Sequence, residues 1–255
     1  MYVPKLYQPA NTAVMHELIE AHPFGTLTVA GDEGLDAVHI PFVLDREVGR
    51  YGRLRAHLAL ANPITGMMER GIKAMVIFRG PHSYIRPADY GNEPHFPTWN
   101  YAAVHVHGVP RILDRPSSAR QVADLIADQE HRLAPDPAWT LDQVTTELFE
   151  EYFQRVVGFE LDITRIEGIF KLGQNKEDHE MDSLVATLRR SGEPGAARMA
   201  ELLERRFDPR FPVHGRAGDS VAAVGSAPGD AATVADPQSD PQSGPEPTPK
   251  PEELS

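Results

Sequence analysis

The stretch PTWNYAAVHVHG, residues 97–108, decides the fold because it has the character of a strand and also carries unusual side chains. It brings together two aromatic rings, an amide and two imidazoles: Trp99, Asn100, Tyr101, His105 and His107. Aromatic and hydrogen-bonding groups on one short strand suit a flat ligand with polar edges. The same residues suit equally an ordinary core strand whose outer face carries polar and aromatic side chains. The choice between these two interpretations depends on the rest of the chain.

Strand-like segments lie on both sides of this stretch. Four precede it, rich in Val, Ile, Phe and Leu and separated by turns that contain glycine: residues 24–31, 35–44, 53–60 and 73–86. The quoted strand continues to residue 113 with a bend at Gly108, Val109 and Pro110. Residues 159–175 return to strand periodicity around a predicted turn at Glu167 and Gly168. Six or so antiparallel strands of this kind predict a small closed β-barrel.

Helices are predicted at the edges of this barrel, so the fold class is mainly β with α (α+β). The predicted N-caps are Asn11, Ser117 or Ser118, and Thr140. The first helix ends at His22 and the helix capped by Thr140 stops at Gly158, and residues 177–207 supply two last helices.

The composition indicates a protein of the cytoplasm. The 255 residues are 41% hydrophobic and 24% charged, which is an ordinary balance for a globular chain. No apolar run approaches the roughly 18 residues of a membrane span, and the first residues lack the layout of a signal peptide. The absence of cysteine excludes disulfides, thiolate metal sites and cysteine nucleophiles.

Charge argues against unaided binding to nucleic acid. The formal net charge is −12, and an acidic surface repels the phosphate backbone, to which proteins bind chiefly through Lys and Arg. A role on DNA would therefore require a local basic patch or a partner protein.

The chain divides near residue 208. Residues 1–207 carry the predicted barrel and its helices. Residues 208–255 are rich in Pro, Gly, Ser, Ala and Asp and almost empty of large apolar residues. Such a composition cannot bury enough surface to offset its chain entropy, so it predicts a disordered acidic tail.

The segment LRAHLALANP, residues 54–63, is a candidate anion site. Alternation puts Arg55 and His57 on one face of a strand and Ala56 on the other. A helix start at Asn62 follows directly, and its free N–H groups would add to the donors of the arginine fork. The alternative is a solvated strand face.

Three further groups carry weaker signals. His39 lies on a strand whose Pro41 cannot donate to a ladder, which predicts an edge or irregular position. His105 and His107 share a strand face, but no third ligand stands at a suggestive spacing, so no metal site is predicted. Lys171 ends a strand, where it would meet a phosphate or a reduced flavin, or cap the strand end.

The sequence resembles the PaiB-type family of FMN-binding split-barrel proteins, which are described as negative transcriptional regulators. The resemblance rests on the ordered segments MYVPKLY, HPFGTLTV, VHIPFVLD, LRAHLALANP, VIFRGPHSYIRPADY, PTWNYAAVHVHG and GFELDITRIEGIFKLGQN. They cover about residues 1 to 190, and PTWNYAAVHVHG together with GFELDITRIEGIFKL is the most specific pair.

The resemblance implies an FMN-binding split β-barrel with peripheral helices, similar to pyridoxamine-phosphate oxidase and flavin reductase relatives. It implies a homodimer with FMN at the subunit interface. The strand of His39, Ile40 and Pro41 would offer backbone groups to the isoalloxazine edge. The implied phosphate residues are Arg55, Ala56, His57 and Asn62. The residues implied to wall and close the ring site are Trp99, Asn100, Tyr101, Lys171 and Gln174.

Three functional hypotheses follow from different classes. The first is a regulator that acts on DNA directly or through a partner, with flavin as a sensor. The second is an FMN-dependent oxidoreductase or flavin reductase, with His57, Tyr101 or His105 as proton donor. The third is a flavin or haem binding module without turnover, in which His105 or His107 would serve as axial ligand.

Overall fold

The computed structural model describes residues 1–31, 34–92, 94–133 and 139–205, and these form two antiparallel sheets. The strands are β1 (Phe24–Gly31), β2 (Gly34–Pro41), β3 (Val43–Asp45), β4 (Arg53–Ala59), β5 (Ala74–Ile85), β6 (Thr98–Gly108), β7 (Pro110–Ile112), β8 (Val156–Asp162) and β9 (Arg165–Lys171). The five-stranded sheet has the order β2-β1-β5-β6-β9, and the four-stranded sheet has the order β3-β4-β8-β7. The predicted α+β class is confirmed, and the quoted stretch lies inside the larger sheet.

Six helices flank the sheets within the described residues. They are α1 (Thr12–Ala21), α2 (Pro63–Glu69), α3 (Arg115–Leu133), α4 (Thr146–Phe153), α5 (Asp178–Arg190) and α6 (Ala196–Glu204). Short 3-10 turns occur at Lys5–Tyr7, Pro87–Tyr90 and Leu141–Gln143. None of the helices in these ranges has the length and apolarity that crossing a membrane requires.

The core lies between the inner faces of the two sheets. Phe42, 2% exposed, meets Phe78 of β5 edge-on with ring centroids 5.5 Å apart. It meets Phe159 of β8 in the same manner at 6.2 Å. Edge-to-face contacts of this kind are the favoured geometry for buried rings. One phenylalanine therefore ties the two sheets together.

Phe42 also divides a segment that the sequence predicts as one strand. Residues 35–44 form β2 in the larger sheet and the start of β3 in the smaller one. Between them the Phe42 N–H donates to the carbonyl of Pro23 at 2.9 Å instead of to a ladder. The change of sheet needs this break, because Pro41 has no N–H with which to continue the ladder.

Helix α1 is capped as predicted, and the caps of α3 and α4 differ from the prediction. Asn11 Oδ1 accepts the N–H of Val14 at 3.1 Å. Helix α3 begins before Ser117, whose N–H donates to Asp114 Oδ1 at 2.8 Å. Helix α4 is capped by Thr145, not Thr140. The sequence offers several hydroxyl and carboxylate residues at each start, and the path of the chain selects among them.

The last two strands are also placed differently from the prediction. Gly158 lies inside β8 and does not end a helix. Glu167 and Gly168 lie inside β9, and the turn falls at Ile163 and Thr164 between the two strands. Glycine in both positions suggests a turn from sequence alone, whereas here it permits close packing inside a sheet. The predicted tail at 208–255 lies outside the described residues.

Candidate functional site

The five-stranded sheet presents one face to the core and one face outward. On β6, Asn100, Ala102 and Val104 are buried, whereas Trp99 and the other odd-numbered residues point outward and keep more exposure. The ladder registers extend this outer face across all five strands. One row across the sheet consists of His39, Thr26, Ile77, His105 and Glu167.

Three rings form an aromatic platform at one end of this face. Trp99 lies opposite Tyr84 of β5, with their ring centroids 5.7 Å apart in a T-shaped arrangement. His82 lies 6.2 Å from Trp99 by the same measure. Trp99 is 52% exposed and Tyr84 is 48% exposed, which is unusual for aromatic side chains that contact one another. We call Trp99, Tyr84 and His82 the aromatic platform.

Cationic groups stand beside the platform. Tyr101 is opposite His82 on one side and opposite Lys171 of β9 on the other. Lys171 Nζ donates to Thr98 Oγ1. Arg79 approaches His82, with Nη2 and Nε2 separated by 3.4 Å. The platform therefore combines ring faces with two positive charges, which is the chemistry that a flat anionic ligand requires.

A cleft of about 790 Å³ opens along one side of the platform. Its lining includes the platform itself, Ser83 and the turn between α5 and α6. The volume is within the roughly 300–1,000 Å³ of small-molecule sites. Behind it, Asn100 pairs in register with Ser83, is 1% exposed, and has an Nδ2 group without a hydrogen-bond partner among the described residues. A buried amide with an unused donor is costly unless a ligand or water satisfies it.

The predicted phosphate residues lie elsewhere, beneath helix α3. Arg55 is on β4 of the smaller sheet, and its guanidinium donates to both oxygens of Asp45 at 2.7 and 2.9 Å. It also donates to Asp124 of α3 at 2.5 Å. The hydrogen bond that Arg55 donates to Asp45 raises the pKa of Arg55 above its usual range. Two carboxylates thus already occupy the fork that a phosphate would need.

The other members of that set are also engaged in structure. His57 Nδ1 lies 3.1 Å from Gln121 Oε1 of α3. Ala56 is fully buried on the opposite face of β4. Asn62 Oδ1 accepts the N–H of Ile64 at 3.0 Å as the cap of α2. The predicted pairing of Arg55 with His57 on one strand face is observed, but α3 covers that face instead of leaving it to an anion.

Two further predicted residues point away from the ring site. Gln174 closes its own turn, because its Oε1 accepts the Leu172 N–H at 2.9 Å and its Nε2 donates to the Phe170 carbonyl. Asn100 faces the core, as described above. Only Trp99, Tyr101 and Lys171 of the predicted ring set share the outer face.

The edge position predicted for His39 is observed, but it is remote from the platform. β2 is an edge strand of the five-stranded sheet, and His39 Nδ1 lies 2.9 Å from Thr26 Oγ1. Ile40 packs on the core, and Pro41 ends the strand. The strand spacing and rise place the His39 row about 20 Å along β6 from Trp99, and β2 about 14 Å across the sheet from β6. One ring cannot touch both within one chain.

The two histidines of β6 differ in their surroundings. His107 Nε2 lies 3.2 Å from Glu167 Oε2, and its Nδ1 lies 3.2 Å from the guanidinium of Arg165. Both ring nitrogens of His107 therefore have protein partners, which argues against the axial ligand considered above. His105 is partly buried, and this burial lowers its pKa. The described ranges contain no group of three side chains that could hold a metal ion.

The platform residues Tyr84 and His82, and the neighbouring Arg79, were not singled out from the sequence. Their signal is the dipeptide Gly80-Pro81 inside a strand-like run, since such a pair indicates a bulge. The register between β5 and β6 does shift between Arg79 and His82. This irregularity turns His82 and Tyr84 onto the face that carries Trp99.

Comparison with known proteins agrees with this architecture. “Protease synthase and sporulation protein PAI 2” of Bacillus subtilis (strain 168) is 28% identical over 207 residues, which are 81% of this chain and 98% of that protein. “Uncharacterized protein YKL070W” of Saccharomyces cerevisiae is 32% identical over 159 residues, which are 53% of this chain and 94% of that protein.

The solved structure of the FAD and haem binding protein from Mycobacterium smegmatis has the same fold. It superimposes with a TM-score of 0.50 and 14% identity, over 69% of this chain and 80% of that one. The predicted split-barrel architecture is thereby confirmed. The family model described as “Putative FMN-binding domain” matches residues 1–165, and the chain belongs to that family.

Proposed function

We propose that the protein binds FMN on the outer face of the five-stranded sheet, at the aromatic platform. The observation that carries the proposal is the contact of Trp99 and Tyr84 at 5.7 Å, both half-exposed, beside Lys171. The membership of the chain in an FMN-binding domain family supports the choice of ligand. The residues fit the group, since FMN needs ring faces for its isoalloxazine and cations for its phosphate.

The chain's own residues have distinct tasks in this proposal. Trp99 and Tyr84 pack against the ring and exclude water from one side of it. Lys171 and Arg79 offer the positive charge. Bound FMN would supply the one- and two-electron chemistry that these side chains lack.

We further propose that the functional unit is a homodimer that buries this face. The outer face exposes Phe24 at 67% and Leu35 at 80% in addition to the platform, and a patch of that kind commonly marks an interface. Dimerisation would bring the β2 edge of one protomer towards the platform of the other. Such an arrangement would unite His39 with Trp99, which are too far apart within one chain.

The test is a titration of FMN followed by quenching of flavin fluorescence and by the visible spectrum. We expect saturable quenching for the natural protein and affinity weakened about tenfold by Trp99→Ala, because one stacking contact is lost. Trp139→Ala is the matched control, since it removes the other tryptophan, 37% exposed, from the segment before α4. If the two substitutions weaken FMN affinity equally, or if neither weakens it, the platform is not the FMN site.

A regulatory role is the second part of the proposal. It is supported by the relative from Bacillus subtilis, which is named “Protease synthase and sporulation protein PAI 2”. The net charge of −12 favours action through a partner protein over direct contact with DNA.

Gel-shift assays on genomic fragments, with FMN oxidised and reduced, separate the two routes. We expect no retardation by the protein alone and a flavin-dependent complex when the partner is present. Retardation by the protein alone at physiological salt would overturn the indirect route. Steady oxidation of NAD(P)H with free FMN would instead support a flavin reductase.

A further inference from the structure

Another cavity lies beside the four-stranded sheet, between helices α3 and α4. Its volume is about 320 Å³, at the low end of the range of about 300–1,000 Å³ for small-molecule sites. Its lining consists of His57 and of aliphatic and aromatic residues from α3, α4, the segment before α4 and the start of β8, including Leu148 and Tyr152. Apart from the imidazole and the Tyr152 hydroxyl, this lining is hydrocarbon.

The imidazole of His57 is one of the two polar groups in the lining of this cavity. It is held by Gln121, a fully buried residue of α3 whose Oε1 lies 3.1 Å from His57 Nδ1. Because a carbonyl oxygen only accepts, Nδ1 must carry the proton, and Nε2 is then a bare acceptor in the neutral ring. No partner for Nε2 occurs among the described residues. Burial lowers the pKa of His57, which keeps the ring neutral near pH 7.

The other end of the Gln121 amide is unpartnered. Its Nε2 group has no hydrogen-bond partner among the residues that the structure describes, although the side chain is fully buried. Leaving an amide donor unsatisfied is costly, so the position of Gln121 requires a compensating gain. Holding His57 in one tautomer against an apolar cavity would be such a gain.

We propose that this cavity binds a small apolar molecule that carries one hydrogen-bond donor, such as a phenol or an alcohol, with the donor directed at His57 Nε2. An anion is excluded because the lining offers no positive charge at neutral pH. A purely hydrocarbon ligand would leave the acceptor unsatisfied, and an acceptor-only ligand would face a lone pair. The site is separate from the aromatic platform, since His57 belongs to the other sheet and is covered by α3.

The test compares two probes of nearly equal shape, 4-propylphenol and 4-propylanisole, by isothermal titration calorimetry. We expect the phenol to bind at least tenfold more tightly, because only its hydroxyl donates. Equal affinities, or tighter binding of the anisole, would overturn the assignment of His57 as acceptor. Absence of binding by both probes at millimolar concentration would overturn the cavity as a ligand site.

Two further measurements locate the binding. Leu148→Trp places a larger ring at the rim, where Leu148 is 45% exposed, so we expect the fold to tolerate the change. The variant should reduce phenol affinity at least tenfold, and its urea denaturation midpoint should match that of the natural protein. Unchanged affinity in this variant would overturn the proposal. A saturating concentration of FMN should leave phenol binding unchanged, whereas competition would assign the phenol to the flavin site. The comparison of the two probes and the Leu148→Trp variant are independent of whether FMN binds at all.

Discussion

The two sheets of this barrel carry similar side chains on their outer faces and use them differently. On the five-stranded sheet, Trp99 and Tyr84 remain half-exposed beside Lys171. On the four-stranded sheet, α3 covers the corresponding face and supplies Asp124 to Arg55 and Gln121 to His57. Polar atoms on a strand are therefore available to a ligand only where no helix satisfies them, as on the five-stranded sheet and at Nε2 of His57. The difference lies in the covering helix and not in the strands.

Removal of Arg55 should produce the largest effect and should act on stability alone. In Arg55→Ala, Asp45 and Asp124 would lose their shared cation, and we expect the free energy of unfolding to fall by about 2–3 kcal/mol, less than for a fully buried pair because the site is partly solvated. Urea denaturation measures the change. Arg111→Ala is the control on the same sheet, since Arg111 is 62% exposed and should matter by less than about 0.5 kcal/mol.

The same variant distinguishes the two faces. FMN affinity of folded Arg55→Ala should equal that of the natural protein, because Arg55 lies under α3. If Arg55→Ala instead had normal stability and no FMN affinity, Arg55 would be a phosphate ligand, and the contrast between the two sheets would be wrong.

The close packing of α3 on β8 gives the second prediction. A Cβ at Gly158 would lie 2.7 Å from Ser118 Oγ and 2.9 Å from Ser118 Cα, so the helix would have to move. Gly158→Ala should lower the free energy of unfolding by about 2 kcal/mol, as overpacked cores do. Gly192→Ala is the matched control, because nothing lies within 4 Å of its added Cβ. Equal unfolding midpoints for the two variants would show that α3 is loosely seated.

A substitution in the aromatic platform should lower FMN affinity and leave stability nearly unchanged, in contrast to the two substitutions under α3. Tyr84→Ala removes a half-exposed ring that contacts Trp99, so we expect FMN affinity to fall roughly tenfold, about 1.4 kcal/mol, with little loss of stability. Fluorescence titration and urea denaturation of one preparation measure both quantities. Tyr2→Ala serves as control, since Tyr2 is 88% exposed. A large loss of stability in Tyr84→Ala would mean that the platform is structural.

The smallest expected effect is the change of the free energy of unfolding with pH. Burial lowers the pKa of His57 beneath α3, and it also lowers the pKa of His22, His105 and His107. Below about pH 6.5 the unfolded chain therefore binds more protons than the folded protein, so stability is complete above that pH and is lost as pH falls. Urea denaturation from pH 5 to 8 should show this slope.

The His57→Leu variant should reduce that slope by its own share. As the pH falls from 8 to 5, the free energy of unfolding of the natural protein should decrease more than that of the variant, because only the natural protein has His57 to protonate. A slope unchanged by the substitution would mean that His57 is solvated beneath α3, contrary to its hydrogen bond with Gln121.

Local pattern was sufficient for much of the fold and for part of the site. Alternation predicted β1, β4 and β6 within a residue or two, and it placed Arg55 and His57 together. It failed where the chain changes sheet at Phe42 and where glycine permits packing at Gly158 and Gly168. Period-two alternation defines the faces of a strand but carries no information about which sheet receives it.

The sequence by itself determined the chemistry available to this protein: an acidic chain without cysteine, with aromatic and cationic residues on alternating strands. Only the tertiary structure decided which of those groups are available to a ligand. Asp124 and Gln121 lie more than sixty residues from their partners Arg55 and His57 along the chain. Such contacts depend on how α3 docks on the sheet, and docking is set by packing across the whole domain instead of by local pattern.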